Sequence, residues 1–173
     1  MTDQENGQVQ EAEVSETNGY GMVEQSNIDN MFTRLKDNWE PGSKKRVMIV
    51  DDDQDMRAIV RTHLTMNGIE VCEAINGMLA LKTVTRLRPD LVLLDIMMPD
   101  IDGVSVCRYI KVNVNIVQPP IVIMMTGLND RDHIMDSIKA GADEYLVKPF
   151  SGDTLITKVE EALKNRINKA SYR

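Results

Sequence analysis

The chain has 173 residues, 42% of them hydrophobic and 27% charged, enough for one globular domain of ordinary size with a tail to spare. Its net charge of -7 lies wholly in the N-terminal part, because residues 1 to 43 hold 9 acids against 2 bases and residues 44 to 173 hold 18 of each. An acidic tail beside a neutral domain has no basic footprint for a phosphate backbone, and no apolar run approaches the roughly 18 residues of a membrane span. Nucleic-acid and membrane partners are therefore disfavoured and a cytoplasmic protein is expected.

The N-terminus, MTDQENGQVQ, lacks the basic start and apolar stretch of a signal peptide. Residues 1 to 25 are polar and without periodicity, too poor in apolar surface to offset the entropy of ordering, and are expected to be a disordered acidic tail. From Ser26 the pattern changes: Ile28, Met31, Phe32, Leu35 and Trp39 recur at helical spacing behind a capping-box-like Ser26-Asn27-Ile28-Asp29. Residues 26 to 43 thus read as an amphipathic helix and linker ended by Pro41-Gly42. That helix would pack on the main domain, pair two chains or dock on a partner, and packing or self-association is the preferred reading.

Residues 44 to 167 alternate short β-branched runs with helical patterns, which predicts a doubly wound parallel sheet of five strands with five helices. The strands are expected at Val47 to Val50, Glu70 to Ala74, Leu91 to Leu94, Ile121 to Met125 and Glu144 to Val147. Helical faces include Met56, Ile59, Val60, His63 and Leu64, and later Leu155, Ile156, Val159, Leu163 and Ile167. The stub from Asn168 to Arg173 is too short for a helix-turn-helix, so no DNA-binding output domain is expected after it. Cys72 and Cys107 have no metal-type spacing and are expected as buried reduced thiols.

Right-handed crossovers bring the C-terminal ends of parallel strands to one edge of the sheet, where open α/β folds place their sites. Asp51-Asp52-Asp53, Asp95, Thr126 and Lys148-Pro149 all stand at such ends. Several carboxylates held together are costly to keep ionised without a cation, and oxygen donors of this kind suit magnesium. With charge on a phosphoryl group balanced by Lys148 and a hydroxyl donor from Thr126, the Asp95 carboxylate could attack phosphorus in line. No neighbouring base is evident to expel the product quickly.

The segments VDDD at 50 to 53, DLVLLDIMMPDIDG at 90 to 103, MMTG at 124 to 127 and GADEYLVKPF at 141 to 150 resemble, in order and at family spacing, the motifs of response-regulator receivers of bacterial two-component systems. The resemblance covers roughly residues 45 to 166. It implies a flavodoxin-like sheet in strand order 2-1-3-4-5. It further implies Asp95 as phosphoacceptor, Asp52 as a direct magnesium ligand, Asp51 as a ligand through water, and the Met97 backbone carbonyl as another ligand. Thr126 and Lys148 look like the phosphate-sensing pair, Tyr145 like the aromatic switch, and the Lys148-Pro149 bond is cis in relatives. A histidine kinase or phosphotransfer protein would be the donor, and a separate effector or a homodimer would form through the last strand and last two helices.

Plainer explanations compete at single residues. Asp53 reads better as a helix N-cap than as a ligand, and Thr126 alone would be a routine cap. Tyr145 alone would be a half-buried strand aromatic. His63 and His133 have no metal-type neighbours and are left out of the site, and the pairs Met97-Met98 and Met124-Met125 read as packing. Met97 and Leu128, two positions after Asp95 and Thr126, are apolar where fast-hydrolysing relatives often carry polar groups, so a slowly decaying phosphoaspartate is expected. Gly127 departs from the commoner alanine but keeps the pocket open. Two rivals remain: a phosphorylation-independent pseudo-receiver, which usually loses an acid or the lysine kept here, and a magnesium-dependent aspartyl phosphatase, whose acid/base residue is missing after Asp95. No phosphate-binding loop of the nucleotide-hydrolase type is present.

Overall fold

The computed structural model describes residues 44 to 113, 116, 118 to 127 and 131 to 170. The expected tail, the helix over 26 to 43 and Leu128 lie outside the described residues, as do the side chains of His133 and Ile167. Within them run β1 (Arg46–Val50), α1 (Gln54–Met66), β2 (Glu70–Ala74), α2 (Gly77–Leu87), β3 (Leu91–Asp95), α3 (Gly103–Val112), β4 (Ile121–Thr126), α4 (Arg131–Lys139), β5 (Glu144–Val147) and α5 (Gly152–Ala170). All strand pairings are parallel, as the alternating pattern predicts, and the order is β2-β1-β3-β4-β5, as the resemblance to receivers implies.

Each central strand is buried throughout, so its side chains divide with period two between two hydrophobic layers. Val47, Ile49, Leu91, Leu93, Ile123 and Met125 face Val60 and Leu64 of α1 and Leu155 and Val159 of α5. Met48, Val50, Val92, Leu94 and Met124 face Ala80 and Val84 of α2, Val106 and Ile110 of α3, and Ala140 after α4. Each fully buried Leu, Ile, Val or Met contributes about 1.5–3 kcal/mol of burial free energy. Cys72 and Cys107 belong to the second layer as free thiols.

Three strands reach one residue further than the apolar runs suggested. Arg46 starts β1, and Asp95 and Thr126 are the last residues of β3 and β4, because Asp95 still pairs with Met125 and Thr126 with Val147. Helix α5 likewise continues to Ala170, past the expected boundary at 167. Ile59, assigned to the inner face of α1 by periodicity, is 54% exposed, since only a narrow stripe of Val60, Leu64 and Arg57 meets the sheet. His63 packs on α5: a Cβ added at Gly152 would lie 2.2 Å from its ring carbon Cε1, so the glycine permits this close crossing and the histidine is structural.

Candidate functional site

Asp51 follows β1 at the start of a turn that leads into α1. Asp53 caps that helix, its side chain accepting from the amides of Asp55 and Met56, which confirms the plainer reading of this third acid. The Asp53 amide in turn donates to Asp51 Oδ1 at 2.9 Å. Asp51 is thereby turned inward and is 1% exposed, whereas Asp52 faces solvent.

Asp95 ends β3 with 8% exposure. The chain behind it doubles back: Gly103 opens α3 with its amide donating to the Ile96 carbonyl at 2.9 Å, and a Cβ at Gly103 would sit 2.0 Å from the Asp95 carbonyl oxygen. Only glycine fits there, which accounts for the residue that closes the DLVLLDIMMPDIDG segment. Asp102 caps α3 and Asp100 takes a left-handed φ of 67° in the same loop.

From the other side of the sheet, the Lys148 amide donates to the Thr126 carbonyl at 2.7 Å, and the Lys148-Pro149 bond is cis as expected. The Lys148 ammonium then reaches across, 2.8 Å from Asp51 Oδ2 and 2.7 Å from Asp95 Oδ1. Carboxylate oxygens of Asp51, Asp52 and Asp95 lie within 4.8 Å of one another. Five residues chosen from sequence are thus gathered at one sheet edge. Thr126 is buried at the end of β4, its hydroxyl donating to the Gly127 carbonyl at 3.1 Å.

Three carboxylates near one ammonium leave an excess of negative charge, and both Asp95 and Lys148 hold their protons more tightly than usual, for different reasons. Burial raises the pKa of Asp95 above the ordinary 3.8, Lys148 only partly opposes this, and Asp51 and Asp52 add to it. Burial alone would lower Lys148, yet its hydrogen bonds to Asp51 and Asp95 prevail and its pKa stands above 10.5. The donor set is all oxygen, without imidazole or thiolate, and this chemistry with its charge excess fits a hard divalent cation such as magnesium.

Tyr145 is set apart from the cluster. It is half-buried against the second hydrophobic layer, and its hydroxyl donates to the Ile134 carbonyl at 3.3 Å, linking β5 to α4. Met97 is 61% exposed at the rim, while Met98, Met124 and Met125 are buried packing residues. Sequence reasoning passed over Arg57, which is buried under the β1–α1 turn and donates to the Asp51 carbonyl at 2.8 Å. Its only trace in the sequence is a cation on the otherwise apolar inner stripe of α1.

Fold and site together define a doubly wound α/β domain with an acidic pocket at the C-terminal edge of its sheet, and residues 47–160 match the family model described as the response regulator receiver domain, so the chain belongs to that family. It is 40% identical over 124 residues to the "Transcriptional regulatory protein PrrA" of Mycobacterium leprae, covering 72% of this chain and 52% of that protein. It is 39% identical over 130 residues to the "Probable transcriptional regulator ycf27" of Guillardia theta, covering 75% of this chain and 49% of the relative. Among solved structures, a CheY-like receiver domain protein from Methanospirillum hungatei JF-1 matches with a TM-score of 0.67 at 30% identity, over 73% of this chain and 99% of that one. The chain spans about half the length of the curated relatives it matches, so they lend no support to the expectation of a receiver without an output domain.

Proposed function

We propose that this receiver takes a phosphoryl group from a histidine kinase or phosphotransfer protein onto Asp95 and passes the signal on by changing its binding surface. The observation that carries the proposal is the convergence of Asp51, Asp52 and Asp95 around Lys148. In the transfer, an Asp95 carboxylate oxygen forms the new bond to phosphorus as the bond to the donor's nitrogen or acyl oxygen breaks. Lys148 balances charge on the transferred oxygens, and the Thr126 hydroxyl turns toward them. Asp51, Asp52, Asp95 and the Met97 backbone carbonyl would hold magnesium, which supplies charge neutralisation at the phosphoryl oxygens. The chain is in this proposal a phosphoacceptor that assists its own phosphotransfer and slow dephosphorylation, not an enzyme acting on a separate substrate.

The output runs from Thr126 to the end of the sheet. Movement of Thr126 frees space into which Tyr145 turns, at the cost of its hydrogen bond to α4. The surface of α4, β5 and α5 then changes partners, and Met135, Ile138 and Val147 already expose apolar area there for an effector or a second copy of the chain. Residues 44 to 173 carry 18 basic and 18 acidic groups, so the proposal includes no direct contact of the receiver with nucleic acid. No helix among the described residues is long and apolar enough to cross a membrane. A cytoplasmic protein of a bacterial-type two-component pathway is the setting these features favour. The apolar Met97 beside Asp95 offers no group to orient water, which supports a long-lived phosphoaspartate; Met97→Asn should shorten its half-life after removal of donor, and an unchanged half-life would refute this part.

The test of the whole is incubation with acetyl phosphate and magnesium followed by intact-mass and peptide mass spectrometry. One added phosphoryl group on Asp95, absent without magnesium and absent from Asp95→Asn, is the expected result. No addition, with a kinase donor also tried, would leave a phosphorylation-independent scaffold as the better reading.

A further inference from the structure

Arg57 is among the few charged side chains inside the fold, 8% exposed and placed beneath the turn that carries Asp51 and Asp52. Its guanidinium works in two directions: Nη1 donates to the Asp51 carbonyl at 2.8 Å and Nε donates to Glu73 Oε2 at 3.3 Å. Glu73 stands on β2, and its other oxygen accepts from Arg61 Nη1 at 2.8 Å, so the carboxylate is held from both sides. The same strand takes the Asp51 amide, which donates to the Ala74 carbonyl at 3.3 Å.

Asp51 lies one residue beyond the last ladder pairs of β1, Val50 with Ala74 and Val50 with Leu94. Its carbonyl has left the sheet and would need another donor when buried. Arg57 is that donor, and the carbonyl it holds belongs to the peptide unit joining Asp51 to Asp52. The orientation of that unit sets the direction in which Asp52 leaves the backbone. Asp52 is the exposed member of the cluster and gains least restraint from packing, so the turn must aim it. Glu73 keeps the guanidinium in place and balances its charge.

We propose that Arg57, anchored by Glu73, is a positioning residue for the acidic cluster: it locks the Asp51–Asp52 peptide and so sets the affinity of the site for a divalent cation. This rests on the cation site included in the proposed function. Arg57 touches backbone rather than reacting atoms, so its effect passes through the two aspartates. Arginine is required because its planar fork donates from Nε and Nη1 at once, whereas a lysine ammonium is a single point of charge.

The test is a magnesium titration of the full chain by isothermal calorimetry, at a temperature where circular dichroism shows every variant folded. Arg57→Gln should bind magnesium about tenfold more weakly, the scale of loss seen for outer partners of metal ligands. Arg57→Lys should fall between Arg57→Gln and wild type, and Glu73→Gln, which keeps the acceptor but not the charge, should show a smaller loss. Val84→Ala, a cavity in the opposite hydrophobic layer, serves as the stability control and should bind as wild type despite a lower unfolding midpoint. Phosphorylation of Arg57→Gln by acetyl phosphate should return toward the wild-type rate as magnesium is raised. An affinity for Arg57→Gln within about twofold of wild type, or an equal loss in Val84→Ala, would overturn the role of Arg57. A wild type that binds no magnesium would overturn the function proposed above instead, so the two failures are distinct.

Discussion

The two edges of this sheet use the same kinds of charged residue to opposite ends. At the N-terminal edge charges are matched: buried Arg46 meets Glu70 at 2.9 Å and gives its amide to Asp90 at 3.0 Å, Lys45 stands 3.6 Å from Asp90, and Lys111 pairs with Asp143. Arg46 also donates to the Leu87 carbonyl at 3.0 Å, and Asp143 accepts from the Val122 amide at 2.8 Å, so these groups tie strand starts to the ends of neighbouring elements. At the C-terminal edge three carboxylates gather and a single ammonium, Lys148, pairs with two of them, Asp51 and Asp95. Balance makes an ion pair a staple, and imbalance makes it a receptor for a cation and a phosphoryl group.

The largest way to break this contrast is Asp95→Asn, which should abolish phosphoryl incorporation while the fold persists; a variant still modified at full rate would place the acceptor elsewhere. At the opposite edge Arg46→Met takes the donor from the Leu87 carbonyl and the cation from the half-buried Glu70, and should cost about 1–3 kcal/mol by urea denaturation. Folded Arg46→Met should still be phosphorylated, because it touches no group of the C-terminal edge.

Magnesium should sharpen the difference further. At about a hundred times its dissociation constant it should add about 2.7 kcal/mol to the wild type. It should add the same to Arg46→Met and much less to Asp52→Asn, as read from unfolding midpoints with and without the ion.

Alkaline pH separates the core from both edges. Burial pushes the thiols of Cys72 and Cys107 up to about 12 and about 11 from 9.0. A raised folded pKa means stability fully present below the unfolded value and lost as pH rises through the folded one, here between 9.0 and about 12 for Cys72 and between 9.0 and about 11 for Cys107. Lys148 follows the same sign, its contribution beginning to fall above 10.5. Urea midpoints of wild type and Lys148→Met should therefore decline together above pH 9.0 and converge above 10.5. The same burial should leave both thiols unreactive to iodoacetamide until the chain unfolds.

The parallel strands, their two layers and the gathering of Asp51, Asp52, Asp95, Thr126 and Lys148 were legible because each rests on a local signal: a β-branched run, a helical stripe, a polar residue where an apolar run stops. The strand order rests on no local signal and came only from the resemblance of the motifs to those of receivers. Asp53 was also legible, since a cap is a local motif. What escaped depends on long-range partners. Strand ends at Asp95 and Thr126 are set by ladder pairing with Met125 and Val147, which no apolar run reveals. The exposure of Ile59 follows from how narrow a stripe of α1 the sheet accepts. Arg57 acts through a backbone carbonyl and through Glu73 on another strand, a relation that spacing alone cannot carry.

The cost of holding a buried carboxylate at this edge, to which the neighbouring acids add, is most directly read from the urea midpoint of Asp95→Asn against wild type, at pH 7 and without divalent ions. Because the folded pKa of Asp95 is raised, ionising it costs stability at any pH above 3.8, and the neutral amide removes that cost. Asp95→Asn should thus unfold at a higher urea concentration than wild type, with the advantage vanishing in strong acid and shrinking when magnesium is added. A midpoint below wild type at pH 7, unaffected by magnesium, would show that the C-terminal edge is stapled like the other and not poised to take up a cation.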